Sequence, residues 1–278
     1  MIHIFYHKSD LDGHASGAIT NYYYNINGKQ TVLHPINYNE KIPWDKLNGD
    51  IILVDFHLHQ DEFEYLDKIF VIDHHESFLK ELNGRKFNGI VEIGKAACEL
   101  CWNYFFPEKP IPRWLWYLSR YDIWDENNPK WDNEILPFQY RLKAEITDPL
   151  ENFEFWLPFL NNSVDEDKLI KEGEIIIRYQ RAMNQKAMTL YSFEAEFEGY
   201  KAICLNTTLS NSQVFESKWN PAKYDIMIRF IYINGKYEVS LYSPKIDVSQ
   251  LASQYGGGGH KGAAGFISNN LEFLKCSK

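Results

Sequence analysis

The 278-residue chain carries 29 basic against 38 acidic residues, a formal charge of −9, with an apolar fraction of 45% and aromatics at 16%. That length and apolar content suit one large or two modest domains with a real core, and the acidic balance argues against a protein that grips long duplexes by their phosphates. No run approaches the roughly 20 apolar residues of a membrane helix, and four scattered cysteines make no disulfide framework.

The first residues show no signal-peptide pattern, so the expectation is a reducing, cytoplasmic setting with no membrane partner. Cys98-x-x-Cys101 lacks a second pair for zinc and lies in a helical pattern, where the two share a face, so it reads as core. In chain order, Ile2–His7 (IHIFYH) reads as a strand and residues 13–24 as a helix. TVLHPI and DIILVDF are further strands, QDEFEYLDKI a helix, and IFVID the next strand. Such alternation predicts a parallel sheet with helices on both faces. Residues 95–160 read as mostly helical, and 163–190 as a charged connecting helix. After 190 the pattern turns to strands with polar turns, FEAEFEGYKAICLN, YDIMIRFIYIN and KYEVSLYS, with Asn234-Gly235 as a hairpin signal. A helix, DVSQLASQY, then leads to GGGGHKGAAGF.

The expected architecture is α/β: an N-terminal parallel-sheet domain over 1–162, a helical connector over 163–190, and a smaller C-terminal α+β domain over 191–278. The active site is expected in the cleft between the domains.

The chemistry concentrates at strand ends. His7 closes the first strand and is followed by Asp10, Asp12 and the turn-permitting Gly13. Asp55 ends the apolar run IILV, and Asp73-His74-His75 ends IFVI. Asp122, between Tyr121 and Ile123, follows a helical run. Each has a plain structural reading, Asp12 as a helix N-cap for instance. Buried together, such groups need something to bind, and their oxygen and nitrogen donors suit two hard or borderline cations, Mn²⁺ first and Mg²⁺ as the alternative. His14, His57 and His59 lie near the same strand ends and read as supporting or surface residues, while His3 and His34 look like ordinary strand positions.

These motifs, HKSDLDG, VDF, the Asp73-His74-His75 triplet, YDIW and GGGGHKGAAGF, occur in an order that resembles the DHH phosphoesterase superfamily with its DHH-associated C-terminal domain. The resemblance implies that His7 and Asp10 hold one metal, Asp12 and His74 the other, with Asp55 bridging and Asp122 completing the set. It implies that His75 faces the substrate phosphate, that Asp73 orients a ligand histidine or closes the hydrogen-bond network, and that Gly256, Gly257, Gly258, Gly259 and His260 contact substrate. Two departures stand out: the His7–Asp10 spacing is shorter than in several branches, and Tyr242-Ser243 stands where many relatives have Arg-Ser.

The compact length resembles the small oligoribonuclease branch, so the expected activity is two-metal hydrolysis of short oligoribonucleotides. The alternatives are a phosphatase or phosphodiesterase on small nucleotides (linear dinucleotides, 3′-phosphoadenosine 5′-phosphate) and a non-catalytic nucleotide-binding module. Long duplex DNA is not an expected partner, and a homodimer remains open.

Overall fold

Strand β1, Ile2–His7, alternates its side chains between two cores: Ile2, Ile4 and Tyr6 face one, Phe5 the other. The computed structural model describes residues 1–38, 40–208 and 211–276, which fall into two units, Met1–Ile177 and Arg178–Lys278. In the first unit, helix α1 (Leu11–Ile26) leads to β2 (Thr31–Ile36) and β3 (Asp50–Val54). A 3-10 segment, Gln60–Lys68, precedes β4 (Ile69–Asp73), α2 (Glu76–Leu82) and β5 (Gly89–Val91). The helical remainder is α3 (Ala97–Phe105), α4 (Arg113–Asp122), a π-helical turn at Trp131–Ile135, α5 (Leu136–Leu142), α6 (Leu157–Leu160) and the start of α7 (Glu166–Tyr191).

The five strands are all parallel, in the order β2-β1-β3-β4-β5. Ile52, Val54 and Ile72 face α1, α3 and α4, while Ile51, Leu53 and Val71 face Phe63, Leu66 and Phe78 on the opposite side. Both faces are therefore covered, which is why these strands are apolar throughout. The order of strand addition reverses between β1 and β3, with β2 on one side of β1 and β3 to β5 on the other. In open parallel sheets the crevice outside the strand C-termini at that point is where ligands sit.

Two sequence expectations shift in detail. The segment over 60–69 is a 3-10 series, not an α-helix. Helix α1 begins at Leu11, so its N-cap is Asp10, whose Oδ1 accepts from Gly13 N at 2.9 Å, and Asp12 sits in the first turn. Gly13 is required there, because a Cβ would stand 1.9 Å from the His7 carbonyl oxygen. That absence of a side chain lets α1 start directly against the end of β1.

The second unit holds β6 (Ser192–Phe197), β7 (Tyr200–Asn206), β8 (Ile226–Ile233), β9 (Lys236–Tyr242), α8 (Val248–Gln254), β10 (Gly258–His260), β11 (Ala263–Ser268) and β12 (Lys275–Cys276). The strands form a mixed sheet, β10-β11-β9-β8-β7-β6-β12. Val248, Leu251 and Ala252 of α8 pack on Ile226, Ile228, Val239 and Leu241. Asn234 and Gly235 both take positive φ, 50° and 86°, as the tight β8–β9 hairpin demands.

Candidate metal centre

The C-terminal ends of β1, β3 and β4, the start of α1 and the end of α4 bring His7, Asp10, Asp12, Asp55, Asp73, His74, His75 and Asp122 together. Three groups of donor atoms lie within 4.8 Å of one another: His7, Asp10 and Asp55; Asp12, His74 and Asp122; and Asp55 with Asp73, His74 and His75.

His7 Nδ1 lies 2.8 Å from Asp10 Oδ2 and 3.6 Å from Asp55 Oδ2, but is aligned for a hydrogen bond with neither. His74 Nε2 lies 3.3 Å from Asp122 Oδ2, 3.4 Å from Asp55 Oδ1 and 3.6 Å from Asp12 Oδ2. These separations fit donors that share an ion: two ligands each about 2.1 Å from an octahedral cation stand about 3 Å apart. Asp55 reaches both sets. It is 2% exposed, and its Oδ1 is buried with no hydrogen-bond partner. Its φ of 53° is in the left-handed region, which a non-glycine residue adopts at a cost. A buried, unpartnered carboxylate oxygen on a strained backbone, facing imidazoles and further carboxylates, is a fit for a divalent cation.

The protonation equilibria show the same crowding. Burial and the charges of Asp12 and Asp10 push the Asp55 carboxyl well above the usual carboxylate range. Burial and Asp12 do the same to Asp122. Burial opposes charge on His7, but Asp10 and Asp55 outweigh it and raise its pKa to about 10. Burial likewise opposes charge on His74, where Asp12 and Asp122 prevail and the pKa rises. Carboxyls and imidazoles that favour their protonated forms at such close range make a charge pattern that a cation would relieve.

Around these groups the fold supplies orientation. Asp12 accepts from Ala97 N and Cys98 N, both at 2.8 Å, so the N-terminus of α3 holds its carboxylate. Asp73 Oδ2 accepts from His57 Nδ1 at 2.8 Å and Oδ1 from His75 Nδ1 at 2.7 Å. Burial opposes the Asp73 charge, but the two histidines hold its pKa well below the usual range. His75 in turn is raised, since Asp73 outweighs its burial. Tyr38 Oη lies 3.1 Å from His57 Nδ1 and 3.4 Å from His75 Nδ1.

Sequence reasoning did not single out Tyr38 or the amides of Ala97 and Cys98. Tyr38 had one available signal: it follows β2, so it shares the strand-end rule that exposed the others. His57 is buried against Asp73, His14 Nδ1 meets Thr147 Oγ1 at 2.9 Å, and His59 Nε2 meets the Tyr38 carbonyl at 3.0 Å. His3 and His34 contact each other at 2.9 Å.

Gly256, Gly257, Gly258, Gly259 and His260 lie in the second unit. Gly258–His260 form an exposed edge strand paired with Ala263–Gly265. A Cβ at Gly257 would stand 2.1 Å from the Gly265 carbonyl oxygen, and one at Gly259 2.6 Å from Ala264 Cα, whereas Gly256 and Gly258 face open space. Two of the glycines thus serve the close approach of β10 to β11. Lys245 Nζ donates to the Pro221 carbonyl.

No protein-family model matches the chain. The chain is 27% identical over 306 aligned residues to the uncharacterized protein R106 of Acanthamoeba polyphaga mimivirus, covering 97% of this chain and 68% of that one. It is 24% identical over 300 aligned residues to oligoribonuclease NrnB of Bacillus subtilis, covering 95% and 72%. Among solved structures it is similar to the pGpG-specific phosphodiesterase PggH of Vibrio cholerae, at TM-score 0.57 and 14% identity over 96% of this chain and 92% of that one. It is also similar to RecJ of Thermus thermophilus in complex with Mn²⁺, at TM-score 0.53 and 18% identity over 96% and 49%. The chain shares the two-domain α/β fold of these solved structures.

Proposed function

We infer that the protein is a metal-dependent phosphodiesterase that hydrolyses short oligoribonucleotides. The observation that carries this reading is Asp55, whose two oxygens reach toward separate donor sets, His7 with Asp10 and His74 with Asp12 and Asp122. In this reading Asp55 bridges two sites, His7 and Asp10 complete one, and Asp12, His74 and Asp122 complete the other. These residues would hold two divalent cations, Mn²⁺ or Mg²⁺, whose charge would acidify a water and polarise a phosphoryl group.

The chain's own groups do the rest. Asp12, fixed by the α3 amides, holds its oxygens in place before any ion arrives. Asp73 keeps the His75 ring oriented and favours its protonated form. With Nδ1 taken by Asp73, Nε2 is the nitrogen assigned to the phosphoryl oxygen, where an imidazolium offsets developing charge. The Gly256–Gly259 loop and His260 are assigned to the nucleotide. The short-RNA substrate is supported by the relative named an oligoribonuclease, aligned over 95% of this chain. A second reading, linear dinucleotides as the main substrate, is favoured by the fold likeness to the protein named a pGpG-specific phosphodiesterase.

A net charge of −9 supports a short substrate, because each phosphate beyond the site meets a surface that is negative on average. Competition between a ribotrimer and a twenty-mer at fixed ionic strength, with Mn²⁺, tests this. The trimer should show the higher kcat/KM. A preference for the twenty-mer would overturn the short-RNA reading, and a preference for a dinucleotide over the trimer would select the second one.

A further inference from the structure

Asp73 is fully buried, yet its carboxylate takes three donors. Oδ1 accepts from His74 N at 2.8 Å and from His75 Nδ1 at 2.7 Å. Oδ2 accepts from His57 Nδ1 at 2.8 Å. His57 and His75 therefore flank the carboxylate, each presenting the same ring nitrogen to a different oxygen, with ring centroids 5.5 Å apart. Tyr38 Oη reaches both rings, 3.1 Å from His57 Nδ1 and 3.4 Å from His75 Nδ1.

The two imidazoles differ in what else they can meet. His75 is partly open to solvent. His57 is 3% exposed and lies against Phe78, the rings 4.9 Å apart and 23° from parallel. It is too enclosed to touch a substrate, and it belongs to none of the three donor groups found among the described residues. A histidine that merely fills space is the plain alternative, but it does not account for the shared carboxylate. A carboxylate only accepts, so both Nδ1 atoms carry their protons toward Asp73, and Tyr38 Oη accepts from the same two N–H groups. Without His57, Oδ2 would be buried with no donor on it, and the carboxylate would turn toward the donors that remain.

We propose that His57 is a positioning residue: together with Tyr38 it clamps the far oxygen of Asp73, and so fixes the ring plane and the Nδ1–H of His75, leaving Nε2 for the phosphoryl group. The proposal rests on the phosphodiesterase reading above only for what Nε2 then meets. The clamp itself is a property of the fold.

The test compares two variants of the full-length protein: His57→Leu, which fills the space without a donor, and His57→Asn, whose amide nitrogen stands where Nδ1 stood. In metal-free protein, the downfield imidazole N–H signal of His75, identified by its absence from His75→Ala, should be sharp in wild type and His57→Asn and broadened or lost in His57→Leu. With Mn²⁺ and a ribotrimer, His57→Leu should lower kcat by roughly 10- to 100-fold, the usual effect of removing a group one step from a metal site, with KM and metal content near wild type. His57→Asn should recover most of that loss, and Tyr38→Phe, which removes only the hydroxyl, should show a smaller fall. In a His75→Ala background His57→Leu should cost little more, because both act through one ring. Equal kcat for the Leu and Asn variants, an undiminished loss in the His75→Ala background, or an unchanged His75 signal in metal-free His57→Leu would overturn the proposal. Should His57→Leu not fold, Tyr38→Phe carries the same comparison, and its loss of kcat must vanish in the His75→Ala background. A wild type that shows the sharp signal but cleaves no phosphodiester would refute the phosphodiesterase reading and leave the clamp standing.

Discussion

Asp55 combines features that a strand end does not need. It is buried, its Oδ1 is unpartnered, and its backbone is left-handed. Strain of that kind costs about 1–3 kcal/mol, and it persists where surrounding structure enforces it. Asparagine tolerates the same φ but carries no charge. Asp55→Asn should therefore raise the Tm of the chelator-treated protein by ~2–4 °C, about 1 kcal/mol in a domain of this size. The same variant should lose at least one metal by mass spectrometry and fall at least about 100-fold in turnover, beyond the usual effect of an outer-shell change. An Asp55→Asn protein with full metal and full activity would remove Asp55 from the centre. His75→Ala should behave differently, because Asp73 and Tyr38 hold its Nδ1 and the proposed function assigns the ring to the phosphoryl group rather than to a metal. Metal content should stay at the wild-type level while kcat falls by about 10²–10³, as for loss of one oriented donor. Loss of metal instead would mean that His75, not His74, is the ligand.

At the level of elements, legibility follows how local each cause is. The strands Ile2–His7, Thr31–Ile36 and Ile69–Asp73 have the bounds read from the sequence, because alternating or continuous apolar runs carry their own signal. Gly89–Val91 was not read, since three half-buried edge residues have too short a period to detect. Gln60–Lys68 is 3-10 with Phe63 and Leu66 buried in the core, a pattern that periodicity does not separate from an α-helix. The acids and imidazoles at strand ends were visible as residue types. The amides that hold Asp12 lie 85 and 86 residues away, and no local pattern connects them. Gly173 makes the same point for stability. In mid-helix, glycine normally costs about 1 kcal/mol relative to alanine. Yet a Cβ there would stand 1.9 Å from the Pro137 carbonyl oxygen, so α7 lies against α5 only because the side chain is missing. Gly173→Ala should therefore destabilise the protein, with a lower midpoint in urea, by about 1–3 kcal/mol as overpacking does. A gain near the helix-propensity value would show that the two helices separate without cost.

For the molecule as a whole, metal binding and folding stability are linked through the protons of the centre. His7, His74, His75, Asp55 and Asp122 all have raised pKa values in the fold. Folding therefore favours their protonated forms, and the stability they contribute is lost as pH rises through the folded values. Asp10 and Asp73 are lowered, so their contribution is present above the ordinary carboxylate range and is lost only in acid. Between the ordinary histidine pKa of 6.5 and the value of about 10 for His7, only the raised groups change. Without metal, the protein should then weaken steadily toward alkaline pH. His7 alone contributes a loss of about 2 kcal/mol between pH 7 and 8.5, or ~4–8 °C in Tm. Cations reverse the sign, because they require neutral imidazoles and ionised carboxylates, so their binding strengthens over the same interval. Tryptophan fluorescence reads this transition in the first unit, which holds Trp44, Trp102, Trp114, Trp116, Trp124, Trp131 and Trp156, leaving Trp219 in the second. The expected result is a Tm that falls with pH in chelator and a widening gap between chelated and Mn²⁺-loaded protein. A chelated Tm that is flat from pH 7 to 8.5 would show that these carboxylates and imidazoles do not retain their protons in the fold, and the electrostatic case for cations at Asp55 would fall with it.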